Sequence, residues 1–183
     1  TSGNYYVTIT DSNGCQATSL PFPINMALSS PYEICVVSVD SITGMNMLVW
    51  EKPSIVGIDS FFVYRESTQQ GVYTKIASQE ASAFSTFIDA TANPQQRAHR
   101  YALSLLDTCG FESLQSNPHK TIHLTINAGM GGAWNLIWDQ YEGFGYLSYY
   151  ILRGNSPNNL SDLDSIQSSL TSYTDLSPPA GPL

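Results

Sequence analysis

The sequence predicts an all-β chain, and three observations carry that prediction. Apolar residues alternate with a period of two from Ile34 onward, no amphipathic stretch of helical period reaches a useful length, and one strand-like block occurs twice. Met47-Leu48-Val49-Trp50-Glu51 returns as Asn135-Leu136-Ile137-Trp138-Asp139, and Phe61-Phe62-Val63-Tyr64-Arg65 returns as Tyr149-Tyr150-Ile151-Leu152-Arg153. Both pairs share one offset (138 − 50 and 153 − 65 each give 88), so the two blocks align without a gap. The chain is therefore a tandem, and what repeats is packing chemistry with no catalytic residue in it.

The elements follow in order. Tyr5, Val7 and Ile9 alternate with Tyr6, Thr8 and Thr10, Asp11-Ser12-Asn13-Gly14 supplies a turn, and Cys15, Ala17 and Ser19 alternate again, which is a β-hairpin. Asp11-x-Asn13 lacks the further acidic ligands of a calcium loop, so a plain turn is the reading. Pro21, Pro23 and Pro31 mark residues 20–33 as a linker, because proline removes ladder donors. Val37 and Val39 begin a strand and Thr43-Gly44-Met45-Asn46 turns it. Leu48 and Trp50 then face one side, with Trp50 as core anchor. After Pro53 and Gly57 come Ser60 to Arg65, Tyr73 to Ala77, Thr86 to Asp89 and His99 to Leu105. Pro118 to Leu124 makes a seventh strand.

Trp50, the aromatic strand Phe61 to Arg65, and Tyr101 followed by Cys109-Gly110-Phe111-Glu112-Ser113 give residues 31–121 a likeness. The block resembles a fibronectin type III domain, and the likeness implies an immunoglobulin-like β-sandwich with Tyr101 as its tyrosine corner, the hydroxyl bonding a nearby backbone group. Residues 122–183 resemble the same family up to Thr171-Ser172-Tyr173-Thr174-Asp175, the counterpart of Ser85 to Asp89. The reading is thus tandem fibronectin type III sandwiches, the second lacking its last two strands. Residues 1–30 resemble the last hairpin of the immunoglobulin-like repeats, of PKD or SprB type, in large bacterial surface proteins. A sandwich short of two strands leaves a sheet edge and an apolar face open, so self-association through the second module is expected.

Bulk composition narrows the function. A charged fraction of 12% is about half the usual ~25%, and seven Lys plus Arg with a net charge of -8 give no cationic surface for nucleic acid or an anionic membrane. No run approaches ~18 apolar residues, so no membrane insertion is expected. The chain begins at Thr1 inside a strand-like pattern and reads as an internal piece of a secreted or cell-surface protein, with any signal upstream and any anchor downstream. Cys15, Cys35 and Cys109 have no metal spacing. Cys35 and Cys109 flank opposite ends of the first module. They read either as a disulfide closing a loop of 74 residues (109 − 35), worth roughly 4 kcal/mol at most, or as buried free thiols.

Several motifs resemble chemistry and are read otherwise. Gly129-Met130-Gly131-Gly132 looks like a phosphate cradle, but Trp134 to Trp138 after it is a strand, and Gly132 aligns with the turn glycine Gly44. His119 and His123, four apart on a strand, lie about 13 Å from one another and share no metal. The acidic pairs Glu51 with Asp59, Asp162 with Asp164, and Glu112 with Asp107 read as turn or edge residues. No Gly-x-Ser-x-Gly or His-Glu-x-x-His motif occurs. No enzyme, cofactor or metal is expected. Tyr141, Phe144, Tyr146, Tyr149 and Tyr150 cluster in the second module. They read either as packing and contacts to the neighbouring module, or, for Tyr146, Tyr149 and Tyr150, as rings that stack on polysaccharide or a surface protein. The functional expectation is a non-catalytic spacer or adhesion segment whose partners are its neighbouring modules. The alternative is an ancillary carbohydrate-binding module of a secreted glycoside hydrolase.

Overall fold

Alternating side chains and glycine turns produce, in the computed structural model, an antiparallel all-β chain with one 3-10 turn among its described residues, which are 3–24, 31–52, 54, 57–156 and 159–178. Residues 25–30 of the expected linker, Pro53, and residues 179–183 lie outside the described residues. Two compact units separate at Ser30 and Pro31.

The first unit is one hairpin. Strand β1 (Gly3–Tyr5) pairs with β4 (Phe22–Ile24), and β2 (Thr8–Thr10) pairs with β3 (Gln16–Thr18). Asp11 builds the turn: its Oδ1 accepts from the N–H groups of Asn13 at 2.9 Å and Cys15 at 2.8 Å, while Gly14 takes φ 87°. That is turn chemistry and not cation ligation.

In the second unit, seven strands form a two-sheet sandwich. Strands β5 (Ile34–Val39), β6 (Asn46–Trp50) and β9 (Thr86–Asp89) make one sheet in the order β5-β6-β9. Strands β7 (Ile58–Glu66), β8 (Tyr73–Glu80), β10 (Arg100–Asp107) and β11 (His119–Lys120) make the other, in the order β11-β10-β7-β8. This three-on-four arrangement is the immunoglobulin-like sandwich of fibronectin type III domains. Its core holds Ile34, Val37, Leu48, Trp50, Phe61, Val63, Tyr101, Leu103 and Leu105, with the Trp50 and Phe61 rings 5.4 Å apart.

The repeat appears again in β12 (Leu124–Ala128), β13 (Trp134–Trp138) and β16 (Ser172–Asp175), which form one sheet in that order, and in β14 (Ser148–Ser156) paired with β15 (Asn159–Gln167). Gly129 to Ala133, with a 3-10 turn at Met130–Gly132, joins β12 to β13. Gly132, like Gly44, takes a positive φ, so the glycine-rich segment is a strand-to-strand turn. Trp138 meets Tyr149 edge-on at 5.3 Å, at the positions where the first copy has Trp50 tilted against Phe61. Each copy carries an equivalent ion pair, Arg65 to Asp89 at 2.6 Å in the first and Arg153 to Asp175 at 2.7 Å in the second.

Three expectations need correction. The Cys35 to Cys109 disulfide is not supported: all three cysteines are free and exposed. Cys35 points away from the core between inward Ile34 and half-buried Val36, and Cys109 sits in a turn whose N–H groups are held by Asp107 Oδ1. The seventh strand is only His119–Lys120 and not Pro118 to Leu124. Before it, Ser113 and Ser116 bond β10 through both their N–H and hydroxyl groups. After it, Thr121 turns back to bond the His99 main chain. The Tyr101 hydroxyl does not seek a backbone group. It donates to Asp89 Oδ2 at 2.9 Å and accepts from Asn46 Nδ2 at 2.8 Å, joining two fully buried polar side chains.

Candidate functional site

The densest arrangement of polar and aromatic groups lies where the two modules meet. Only Thr121, Ile122 and His123 separate β11 from β12, and Thr121 is buried, its Oγ1 accepting from the His99 N–H at 2.9 Å. A three-residue connection with a bonded member leaves little freedom between the modules.

The loop from Asp139 to Leu147, which connects β13 and β14 in the second module, builds into the first. Tyr141 is buried within the first module's core cluster. Its Oη accepts from the Val37 N–H at 3.3 Å, across 104 residues of sequence, and lies 3.0 Å from His119 Nδ1. Phe144 packs tilted on Tyr141 at 4.7 Å, and His119 meets both rings edge-on. Gly143 permits this approach. Its φ is 144°, and a Cβ there would overlap the His119 ring, so only glycine fits.

Charge reinforces the contact. Arg100 on β10 grips Glu142 with two bonds, Nε to Oε2 at 2.7 Å and a terminal nitrogen to Oε1 at 2.6 Å, and reaches Glu66 at 3.0 Å. Lys120 bridges Asp139 at 3.2 Å, and its N–H donates to the Glu142 carbonyl at 2.8 Å. The Arg100 fork holds the Glu142 carboxyl below its usual range, against the opposing effect of burial. Burial would raise Glu66, but the Gly71 N–H and Arg100 outweigh it and its carboxyl also sits low. Burial depresses His119, with Glu33 opposing, so the imidazole favours its neutral form. Single exposed ion pairs contribute little, so the network fixes orientation while Tyr141 supplies burial.

The expected stacking residues fall into two groups. Tyr146 packs edge-on against Tyr141, and its hydroxyl bonds that of Tyr149; burial first, then Tyr149, pushes Tyr146 up to about 12. Tyr149 in turn packs on Trp138. Tyr150 alone of the three stands open, 70% exposed. His119 and His123 are engaged separately, the first with Tyr141 and the second with the Gln95 carbonyl at 3.0 Å. Among the described residues, no group of three metal-ligating side chains converges. Glu112 accepts from the hydroxyls of Tyr64 and Ser104, which is a structural engagement. Among the described residues no helix is long and apolar enough to cross a membrane. The junction residues Tyr141, Glu142, Arg100 and Lys120 carry no sequence motif; the aromatic density of Tyr141 to Tyr150 is the only signal that marks their region.

No protein-family model matches the sequence, and no curated protein matches it. Among solved structures, the chain is similar to a Fn3-like protein from Clostridium thermocellum at 24% identity and a TM-score of 0.42, over 52% of this chain and 93% of that one. It is similar to the FN1–FN3 domains of chicken CNTN1 at 9% identity and a TM-score of 0.40, over 94% of this chain and 65% of that one. Pectate lyase Pel3 from Pectobacterium carotovorum matches at 26% identity and a TM-score of 0.37, over 52% of this chain and 27% of that one. The fold assignment rests on strand order and register, which stand without these likenesses.

Proposed function

We propose that this chain is a non-catalytic structural segment of a large, secreted or surface-exposed multidomain bacterial protein, one that holds its neighbours apart as a stiff pair of sandwiches. The observation that supports this reading is Tyr141, a residue of the second module that completes the core of the first. A spacer transmits position only if its modules cannot swivel, and a core shared across a three-residue connection removes the swivel. Its partners in this reading are the adjoining modules of the same polypeptide, and the hairpin at residues 3–24 belongs to an immunoglobulin-like repeat of PKD or SprB type.

The ancillary carbohydrate-binding reading keeps one observation in its favour, the open ring of Tyr150. Tyr146 and Tyr149, which would share a sugar platform with it, meet each other edge-on and are bonded through their hydroxyls. Retention of the chain on a panel of insoluble polysaccharides tests the choice. The spacer role predicts no saturable binding; saturable binding abolished by Tyr150→Ala moves the function to carbohydrate recognition.

A further inference from the structure

The contact that locks the two modules turns on one ring nitrogen. His119, on β11 of the first module, is 4% exposed, and its Nδ1 lies 3.0 Å from the Tyr141 hydroxyl of the second. The same hydroxyl accepts from the Val37 N–H at 3.3 Å. A backbone N–H only donates, and that sets the direction of the chain: the Val37 N–H gives to Tyr141 Oη, and the Tyr141 O–H gives to Nδ1. The bonding of its neighbours thus assigns His119 as a neutral imidazole with its hydrogen on Nε2.

The proton that would charge this ring belongs on Nδ1, the atom that Tyr141 already occupies. Imidazolium has two donors and no acceptor, so protonation would aim two donors, the Val37 N–H and Nδ1–H, at one oxygen and leave the hydroxyl's own hydrogen without an acceptor. The ring is also boxed in. Tyr141 and Phe144 meet it edge-on at 6.0 and 6.2 Å, and Gly143 lies so close that a Cβ there would overlap it. Of the charged groups around it, Glu33, before β5, favours the charged ring, but Glu33 is exposed and is bonded by Asn117 Nδ2 at 3.3 Å. Strand β5 itself carries no charged side chain, and its Cys35 is exposed. On β10, the cross-strand partner Tyr101 is held by Asp89 and Asn46, and Arg100 is turned to Glu142 and Glu66. Lys120, beside His119 on β11, reaches Asp139 and Glu142, which are the carboxylates of the facing loop. Burial outweighs Glu33 and depresses the ring.

We propose that His119 is a proton-sensitive latch: the closed junction and the protonated ring exclude one another, so acid frees the loop of Tyr141 to Phe144 from the first module and slackens the pair while the first sandwich stays folded. This is regulation of the junction and rests on the spacer reading. The neutral ring belongs to the closed state, so the latch is complete above the ordinary imidazole value of about 6.5 and loosens as pH falls below it. One proton is taken up on opening, so the closed-to-open ratio falls by up to about tenfold for each pH unit.

Amide hydrogen exchange of the 183-residue chain, followed by NMR from pH 8 to 5, reads the latch at its own atom. The Val37 N–H is bonded to Tyr141, so its protection measures the closed junction. The Leu103 N–H, bonded to Ser116 Oγ within the first module, measures that module by itself. With the intrinsic pH dependence of exchange divided out, Val37 protection is expected to fall by about tenfold between pH 8 and 5 while Leu103 keeps its own. His119→Gln, whose amide oxygen accepts from the Tyr141 hydroxyl but takes up no proton, removes that fall. His99→Gln, at the other buried imidazole of the module, leaves it in place. A Val37 amide that is protected at pH 8 and unchanged relative to Leu103 at pH 5 overturns the latch and leaves the locked junction standing. One that is unprotected already at pH 8 takes down the locked junction, and the latch with it. A fall that survives His119→Gln overturns the assignment to His119. Should that variant not fold, the NMR titration of the His119 ring in the parent decides: the ring is expected to charge over the pH range in which Val37 loses protection, and a ring that charges while Val37 stays protected refutes the latch.

Discussion

Replacing Tyr141 weakens the first module although the residue belongs to the second. Tyr141→Phe removes the hydroxyl that accepts from the Val37 N–H and bonds His119, leaving a buried main-chain donor unpaired. An orphaned buried donor costs about 1–3 kcal/mol. Tyr141→Ala also withdraws the ring from a core that contains Trp50 and Phe61, and truncating a large buried aromatic costs about 3–5 kcal/mol. The assay uses the three tryptophans: Trp134→Phe and Trp138→Phe leave Trp50 as the sole reporter, and it reports the first module alone. With a urea dependence of about 1–3 kcal/mol per molar, the Trp50 midpoint is expected to fall by about 1 M for Tyr141→Phe and further for Tyr141→Ala. If neither substitution moves the Trp50 transition, Tyr141 is not part of the first module's core and the argument for a locked junction fails.

Gly143→Ala should loosen the same junction from the other side, because its positive φ is strained for any side chain and a Cβ overlaps the His119 ring. A loss of about 1–3 kcal/mol in the Trp50 transition is expected, and an unchanged midpoint contradicts the close approach. Acid should weaken the junction in two steps. The folded-state pKa of His119 is depressed by burial, so the stability its neutral form contributes is complete above the unfolded value of 6.5 and is lost as pH falls below it. Glu142 and Glu66, also depressed, add a second loss as pH falls below 4.5 toward their folded values. Unfolding measured from pH 8 to 3 checks both; His119→Gln should shrink the upper step, to which His99, also depressed by burial, contributes the remainder, and leave the lower step in place. Thiol titration of the native chain should find three reactive cysteines; a count of one, with Cys35 and Cys109 silent until reduction, would restore the disulfide.

The alternation around Trp50 and Trp138 revealed both cores because each inward residue meets a facing sheet two positions later, and burial imposes that period directly. Strand β15 escaped the same test. Its apolar residues Leu160, Leu163 and Ile166 recur every three positions, because Leu163 sits at a bulge where the pairing shifts between Ile151 and Leu152. The first copy shifts at the equivalent place, between Val63 and Tyr64, but Tyr73 and Ile76-Ala77 kept enough apolar character to read as a strand. Ser113 and Ser116 bond β10 with hydroxyls, which no hydropathy pattern records. The junction was least legible, since Tyr141 and Val37 meet from 104 residues apart and loop residues carry no period. Its chemistry becomes visible only when Glu142, Arg100 and Lys120 are seen on one surface.

The fixed relation of the two modules is tested most directly by a distance distribution between them. Spin labels at Ala83→Cys and Ser169→Cys, both at exposed positions, report it when the native cysteines are replaced by serine. A locked junction predicts one narrow distance that broadens when Tyr141→Ala and Glu142→Ala are added. A distribution that is broad from the outset, or a narrow one that those substitutions leave unchanged, would contradict it.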